Sequence, residues 1–136
     1  DILCSIGRAQ LLKIGSFIKK RKEIWLFYQD SFKNIKHIEI PPYPLRDTES
    51  SYYLYWLKIK KGLRDKLAAY LIENGIYCTF RYYPLHLVEF YGSVKKRLPN
   101  AEVINEEVLN LPVHQNLSDA DVGKIVETVK KFFERL

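Results

Sequence analysis

The sequence predicts an α+β domain: a long N-terminal helix, followed by a small, mainly antiparallel three-stranded sheet with helices packed on it. Three observations predict it. Apolar residues recur at helical spacing from Ile2 to Phe32 and again from Val122 to Leu136. Two stretches, Tyr52–Lys60 and Ile76–Tyr82, alternate with the two-residue period of a strand. The fifteen residues between them carry a helical pattern of their own. At 136 residues, 47% apolar and 28% charged, the chain can bury one ordinary core and is neither a tail nor a linker.

The elements follow in order. The first helical stretch carries Ile2, Ile6, Ala9, Ile14, Phe17, Ile18, Ile24, Trp25, Tyr28 and Phe32, and Gly15 is the expected point of a bend or short break. Its other face bears the basic run Lys19 to Lys22, a pattern typical of a solvated helix face. Pro41, Pro42 and Pro44 exclude a helix and read as part of a linker over residues 35–51. Tyr53, Tyr55, Leu57 and Ile59 share one face of the first strand. Leu63, Leu67, Tyr70 and Leu71 mark the next helix, which Gly75 ends in the left-handed position beyond the C-cap. Ile76–Tyr82 is the expected second strand. A helix over Ala101–Glu107 and a third strand over Val108–Val113 precede the last helix. That helix starts at Ser118, with Asp119 and Asp121 in its first turn, where carboxylates complement the dipole.

Charge and cysteine content narrow the function classes. The net charge of +6 and the pI near 9.2 are moderately basic. No helix-turn-helix, RNA-binding or zinc motif accompanies them, which argues against a nucleic-acid partner. Cys4 and Cys78 match no zinc or redox spacing, so a reduced, cytoplasmic setting is expected. No run approaches the roughly 18 apolar residues of a membrane span. His37, His86 and His114 have no partner at metal-ligand spacing, and no Ser or Cys sits in a nucleophile motif. We therefore expect neither a metal site nor a catalytic residue in this chain. The sequence has no methionine and opens at Asp1 with a helical pattern already running, which leads us to expect a part of something longer. Nine of the ten tyrosines fall between Tyr43 and Tyr91, beside Trp56, Phe80 and Phe90. So many aromatics beside a small sheet read either as a core with tyrosines at its rim, their hydroxyls in water, or as a surface that meets another domain or subunit, and the second is favoured.

The segment Thr79-Phe80-Arg81-Tyr82-Tyr83-Pro84-Leu85-His86 carries the candidate binding residues. Pro84 ends the strand, so Arg81, Tyr83 and His86 project from its end and from the loop after it, where ligand clefts are commonly built. Arginine offers a planar fork to a carboxylate or phosphate, and histidine can donate, accept or shuttle a proton. The plainer alternative pairs Arg81 with a surface carboxylate and leaves His86 to cap a short helix.

The ordered motifs resemble a known family. The opening Asp1-Ile2-Leu3-Cys4-Ser5-Ile6-Gly7-Arg8-Ala9-Gln10-Leu11 is similar to the "D-x-x-A-A-x-G-x-x-Q-L" helix of the DegT/StrS family of PLP-dependent sugar aminotransferases. Arg21 and Tyr28 fit its following arginine and tyrosine. Gly75-Ile76 with Arg81-Tyr82-Tyr83-Pro84-Leu85-His86 is similar to its "G-I … H-Y-x-P-L-H". Leu111-Pro112-Val113-His114 with Leu117-Ser118 resembles its closing "L-P-L-H-x-x-L-[ST]". Arg81 stands where many relatives have histidine, and Cys4-Ser5 replace an alanine pair.

The resemblance implies the C-terminal part of a fold-type I aminotransferase. Residues 1–34 would be an interdomain helix region, 35–51 a Pro-rich linker and 52–136 the small domain. It implies a homodimer whose N-terminal large domain, in the same or a separate polypeptide, holds pyridoxal 5′-phosphate and the reactive lysine. It also implies a nucleotide-linked keto sugar as substrate and an amino acid as nitrogen donor, in amino-sugar biosynthesis. Arg81, Tyr83 and His86 would be substrate-binding residues. This chain alone would bind no cofactor and be inactive. The competing expectation is a non-catalytic basic interaction or regulatory module.

Overall fold

The computed structural model describes residues 1–60, 62–92 and 97–136. Along it run α1 (Ile2–Leu11), α2 (Ile14–Phe32), β1 (Ile38–Glu39), β2 (Tyr55–Ile59), α3 (Arg64–Glu73), α4 (Pro99–Glu107), β3 (Val108–Leu111) and α5 (Asp119–Glu134). Two single 3-10 turns, Leu85–Leu87 and Glu89–Tyr91, lie between α3 and α4. The sheet has the order β1-β2-β3, antiparallel throughout. The expected α+β architecture is present, although one of its three strands comes from a different segment.

The core forms on one face of the sheet. In β2, Tyr55, Leu57 and Ile59 are fully buried while Trp56 and Lys58 are half-buried on the other face. The register sets Leu57 opposite Leu109 and Tyr55 opposite Leu111, extending the same apolar face across β3. Against it pack Tyr28 and Phe32 of α2, Leu67 and Leu71 of α3, and Val122, Ile125, Val126 and Val129 of α5. The stripe of α5 fades at its end: Phe132 and Phe133 are half-buried and Leu136 is exposed. On the opposite face Lys58 reaches Glu39 of β1 at 3.1 Å and Glu107, the last residue of α4, at 3.6 Å, so one cation links β1 to the entry of β3.

Two helix ends follow their sequence signals closely. Ser118 Oγ accepts the Asp121 N–H at 3.1 Å, and Asp121 accepts the Ser118 N–H at 3.0 Å, a reciprocal cap that opens α5. Gly75 has φ +74°, and the N–H groups of Gly75 and Ile76 reach the Ile72 and Leu71 carbonyls, each at 2.9 Å.

Three expectations need correction. Ile76–Tyr82 is extended, with Ile76 and Cys78 inward and Tyr77 outward, but only Thr79 pairs, through an isolated bridge to Asn110. Alternation reports an extended backbone and not a ladder, and here that backbone meets β3 through a single bridge. The third strand is instead Ile38–Glu39, inside the stretch read as a linker. Ile35, Ile38 and Ile40 pack on the core and hold it against β2. The helix break falls at Leu12–Lys13, and Gly15 lies in the first turn of α2, where its lack of a side chain costs little.

Among the described residues no helix is long and apolar enough to cross a membrane. All of α1 is exposed, with Ile2, Leu3, Ile6 and Leu11 on its surface and no residue buried.

Candidate functional site

The site grows from the point where the chain leaves the sheet. Thr79 and Asn110 exchange two backbone hydrogen bonds, at 3.1 and 2.8 Å, and Asn110 Nδ2 adds a third to the Thr79 carbonyl at 3.2 Å. Beyond this anchor the Phe80 ring carries the Arg64 guanidinium 4.3 Å from its centroid. Arg81 then turns along a cleft of about 450 Å³ bounded by the segment from Gly75, the end of β3 with Pro112 to His114, and the first turns of α5.

Arg81 and Lys124 both line this cleft, and His114 lies on its wall. The Lys124 ammonium sits over Gly75, 3.8 Å from where a Cβ would project. A fork-shaped cation and a point-charge cation facing one space can hold an anionic group, the first with fixed geometry and the second without. Asp121 also borders the cleft, but its carboxylate is engaged by Ser118, whose hydroxyl and backbone N–H hold it below the usual range.

The structure brings only Arg81 of the three sequence-derived candidates into the cleft lining. Tyr83 is 57% exposed on the loop that follows. His86 points inward: its Nε2 lies 3.2 Å from Glu102 Oε1, with the imidazole almost wholly buried. It meets a side chain in the first turn of α4 and not a backbone group, so this contact is not a helix cap. Lys124 and Asn110 were not flagged by the sequence, and no motif ties either to Arg81 across the intervening residues. His114 was visible in Leu111-Pro112-Val113-His114, without a role.

Two residues of the basic run on α2 have partners. Lys20 pairs with Asp119 at 2.7 Å, which raises its pKa, and Lys22 lies 6.0 Å from the Tyr52 ring centroid. The remaining histidine, His37, stacks on Phe133. Among the described residues no group of three or more His, Cys, Asp or Glu could hold a metal ion.

A lysine that forms a Schiff base must shed its proton near neutrality, through burial or a neighbouring cation. Among the described residues every lysine is exposed or half-buried. Lys20, Lys33 and Lys58 have pKa values moved upward by their carboxylate partners, the wrong direction for such a nucleophile. Among the described residues none is a buried lysine of the kind that pyridoxal phosphate takes.

Comparison with known proteins gives a consistent result. The model of the DegT/DnrJ/EryC1/StrS aminotransferase family matches residues 1–130. The chain is 35% identical over 134 residues to the dTDP-4-dehydro-2,3,6-trideoxy-D-glucose 4-aminotransferase of Saccharopolyspora spinosa, covering 98% of this chain and 34% of that protein. It superposes on the aminotransferase TlmJ from Streptoalloteichus hindustanus with a TM-score of 0.92 at 40% identity, over 96% of this chain and 35% of that one. It superposes on the PLP form of Spr1654, a candidate sugar aminotransferase from Streptococcus pneumoniae, with a TM-score of 0.89 at 30% identity, over 99% and 36% of the two chains. The chain therefore spans about a third of the length of the relatives it matches. With the motifs in order, the fold reproduced and the match running through nearly every residue, the chain belongs to the DegT/DnrJ/EryC1/StrS aminotransferase family.

Proposed function

We propose that this chain is the C-terminal part of a PLP-dependent aminotransferase that acts on a nucleotide-linked keto sugar in amino-sugar biosynthesis, in the cytoplasm. The observation that carries the reading is the family match over residues 1–130, set against coverage of only about a third of each relative. In this reading an N-terminal large domain, in the same or a separate polypeptide, holds the cofactor and the reactive lysine, and the complete enzyme is a homodimer. Residues 1–34 form the interdomain helix region, 35–51 a connecting stretch that contributes β1, and 52–136 the small domain. The apolar surface of α1 and the exposed Tyr43, Tyr53, Tyr77, Tyr82, Tyr83 and Tyr91 fit burial against those neighbours.

The role of this chain's own residues is binding and orientation, the part a protein plays around a cofactor that carries the chemistry. Arg81 contacts an anionic group of the sugar nucleotide, and Tyr83 supplies a ring or hydroxyl beside it. His86 belongs to the same loop and acts on it from within. Arg81→Ala in the complete enzyme is expected to raise KM for the nucleotide sugar roughly ten- to a hundredfold, the loss of one charge-assisted hydrogen bond. KM for the amino donor should stay within about twofold, since uniform binding to a second substrate is untouched. Steady-state kinetics with each substrate varied in turn checks this, and equal changes in both constants would remove the assignment.

A further inference from the structure

The loop from Phe80 to Gly92 carries Arg81 and Tyr83, yet its backbone hydrogen bonds are local among the described residues. Leu87 N–H reaches the Pro84 carbonyl at 2.9 Å, Val88 reaches Leu85 at 3.2 Å, Tyr91 reaches Val88 at 3.1 Å and Gly92 reaches Glu89 at 2.9 Å. Such a segment should open easily unless side chains tie it down. Two do. At one end Phe80 lies under the Arg64 guanidinium, whose Nη1 also donates to the Asn105 carbonyl of α4 at 3.1 Å. In the middle of the loop His86 Nε2 meets Glu102 Oε1 at 3.2 Å.

Glu102 has further partners. Its Oε1 accepts the N–H of Leu98, the residue before α4, at 3.0 Å, and its Oε2 accepts Arg97 Nε at 2.7 Å. The Glu102 side chain is only 14% exposed. With Arg97 first, then the Leu98 N–H and His86, its carboxyl is held down to about 2. One ionised carboxylate therefore closes the first turn of α4 and grips the loop sixteen residues upstream. We propose that Glu102, through His86, is a positioning residue that holds the loop of Arg81 and Tyr83 in its binding geometry without touching substrate itself. This inference rests on the assignment of Arg81 and Tyr83 as substrate contacts.

The test compares His86→Ala, Glu102→Gln and Glu102→Ala in the intact protein, by hydrogen exchange of backbone amides and by kinetics. His86→Ala is expected to speed exchange over residues 82–92 by about tenfold or more, with amides of β2, β3 and α5 changed by less than about twofold. KM for the nucleotide sugar should rise about tenfold while KM for the amino donor holds. Glu102→Gln keeps acceptors for Leu98 and His86 and should fall between wild type and Glu102→Ala. The double variant His86→Ala with Glu102→Ala should exchange no faster in the loop than Glu102→Ala alone. Loop amides that exchange at the wild-type rate in a folded His86→Ala would overturn the clamp. A loosened loop with unchanged sugar KM, in an enzyme where Arg81→Ala does raise it, would overturn positioning alone. Should Arg81→Ala leave sugar binding intact, the substrate reading fails and the exchange rates decide the clamp by themselves.

Discussion

Replacing Tyr55 by alanine is expected to destabilise the protein by about 3–5 kcal/mol, the range for deleting a large buried aromatic side chain. The ring is fully buried at the centre of the fold, 5.6 Å from Trp25, 5.0 Å from Tyr28 and 6.2 Å from Phe32. Each neighbour belongs to α2, so the substitution opens the seam between that helix and the sheet. Against a typical total of about 5–15 kcal/mol this is a large share. Urea denaturation checks it, and the hydroxyl can be separated from the ring. Tyr28 donates its hydroxyl to the Pro112 carbonyl at 3.0 Å, whereas the buried Tyr55 hydroxyl has no partner among the described residues. Tyr28→Phe is therefore expected to cost about 1 kcal/mol, and Tyr55→Phe less than that. The reverse order would mean the hydroxyls are not satisfied as the structure shows.

The second large effect concerns α1. Leu3, Ile6 and Leu11 are 83%, 54% and 69% exposed, and no residue of the helix is buried. Changing all three to glutamine should shift the unfolding free energy of the chain by less than about 0.5 kcal/mol, as for surface sites remote from packing. In the complete enzyme of the proposed reading the same helix packs against a neighbouring domain or subunit. Three apolar side chains leaving such an interface forfeit roughly 1.5–3 kcal/mol each. Their sum corresponds to a loss of about a thousandfold or more in association. Sedimentation or light scattering against dilution measures the association, and denaturation measures the fold. Destabilisation without weakened assembly would place α1 in the core of the chain itself.

The parts of this fold legible in the sequence are those whose signal is local and repeated. The stripe of α5 with its Ser118–Asp121 cap, the alternation of β2, and Gly75 beyond α3 each state their own structure over a few residues. The parts that were not legible depend on what lies across the fold. Two residues, Ile38 and Glu39, are too few to show a period, and they become a strand because β2 offers an edge beside them. The alternation of Ile76–Tyr82 is that of a paired strand, yet only Thr79 finds a partner. In the site, Arg81 announced itself by its place after an extended segment and before Pro84. The inward turn of His86 could not be read, because its partner Glu102 is brought near only once α4 has docked. Lys124 enters the cleft by the same route, from a helix whose spacing says which face is buried and nothing of what the other face meets.

In the proposed reading this chain supplies binding and orienting groups to an aminotransferase whose reactive lysine is not among residues 1–136. Borohydride reduction of the chain in the presence of pyridoxal phosphate, followed by peptide mass spectrometry, tests it most directly. No saturable, site-specific pyridoxyl-lysine is expected anywhere in residues 1–136, and no transamination by the chain alone. One lysine modified stoichiometrically at low cofactor concentration, together with turnover of an amino donor, would contradict it.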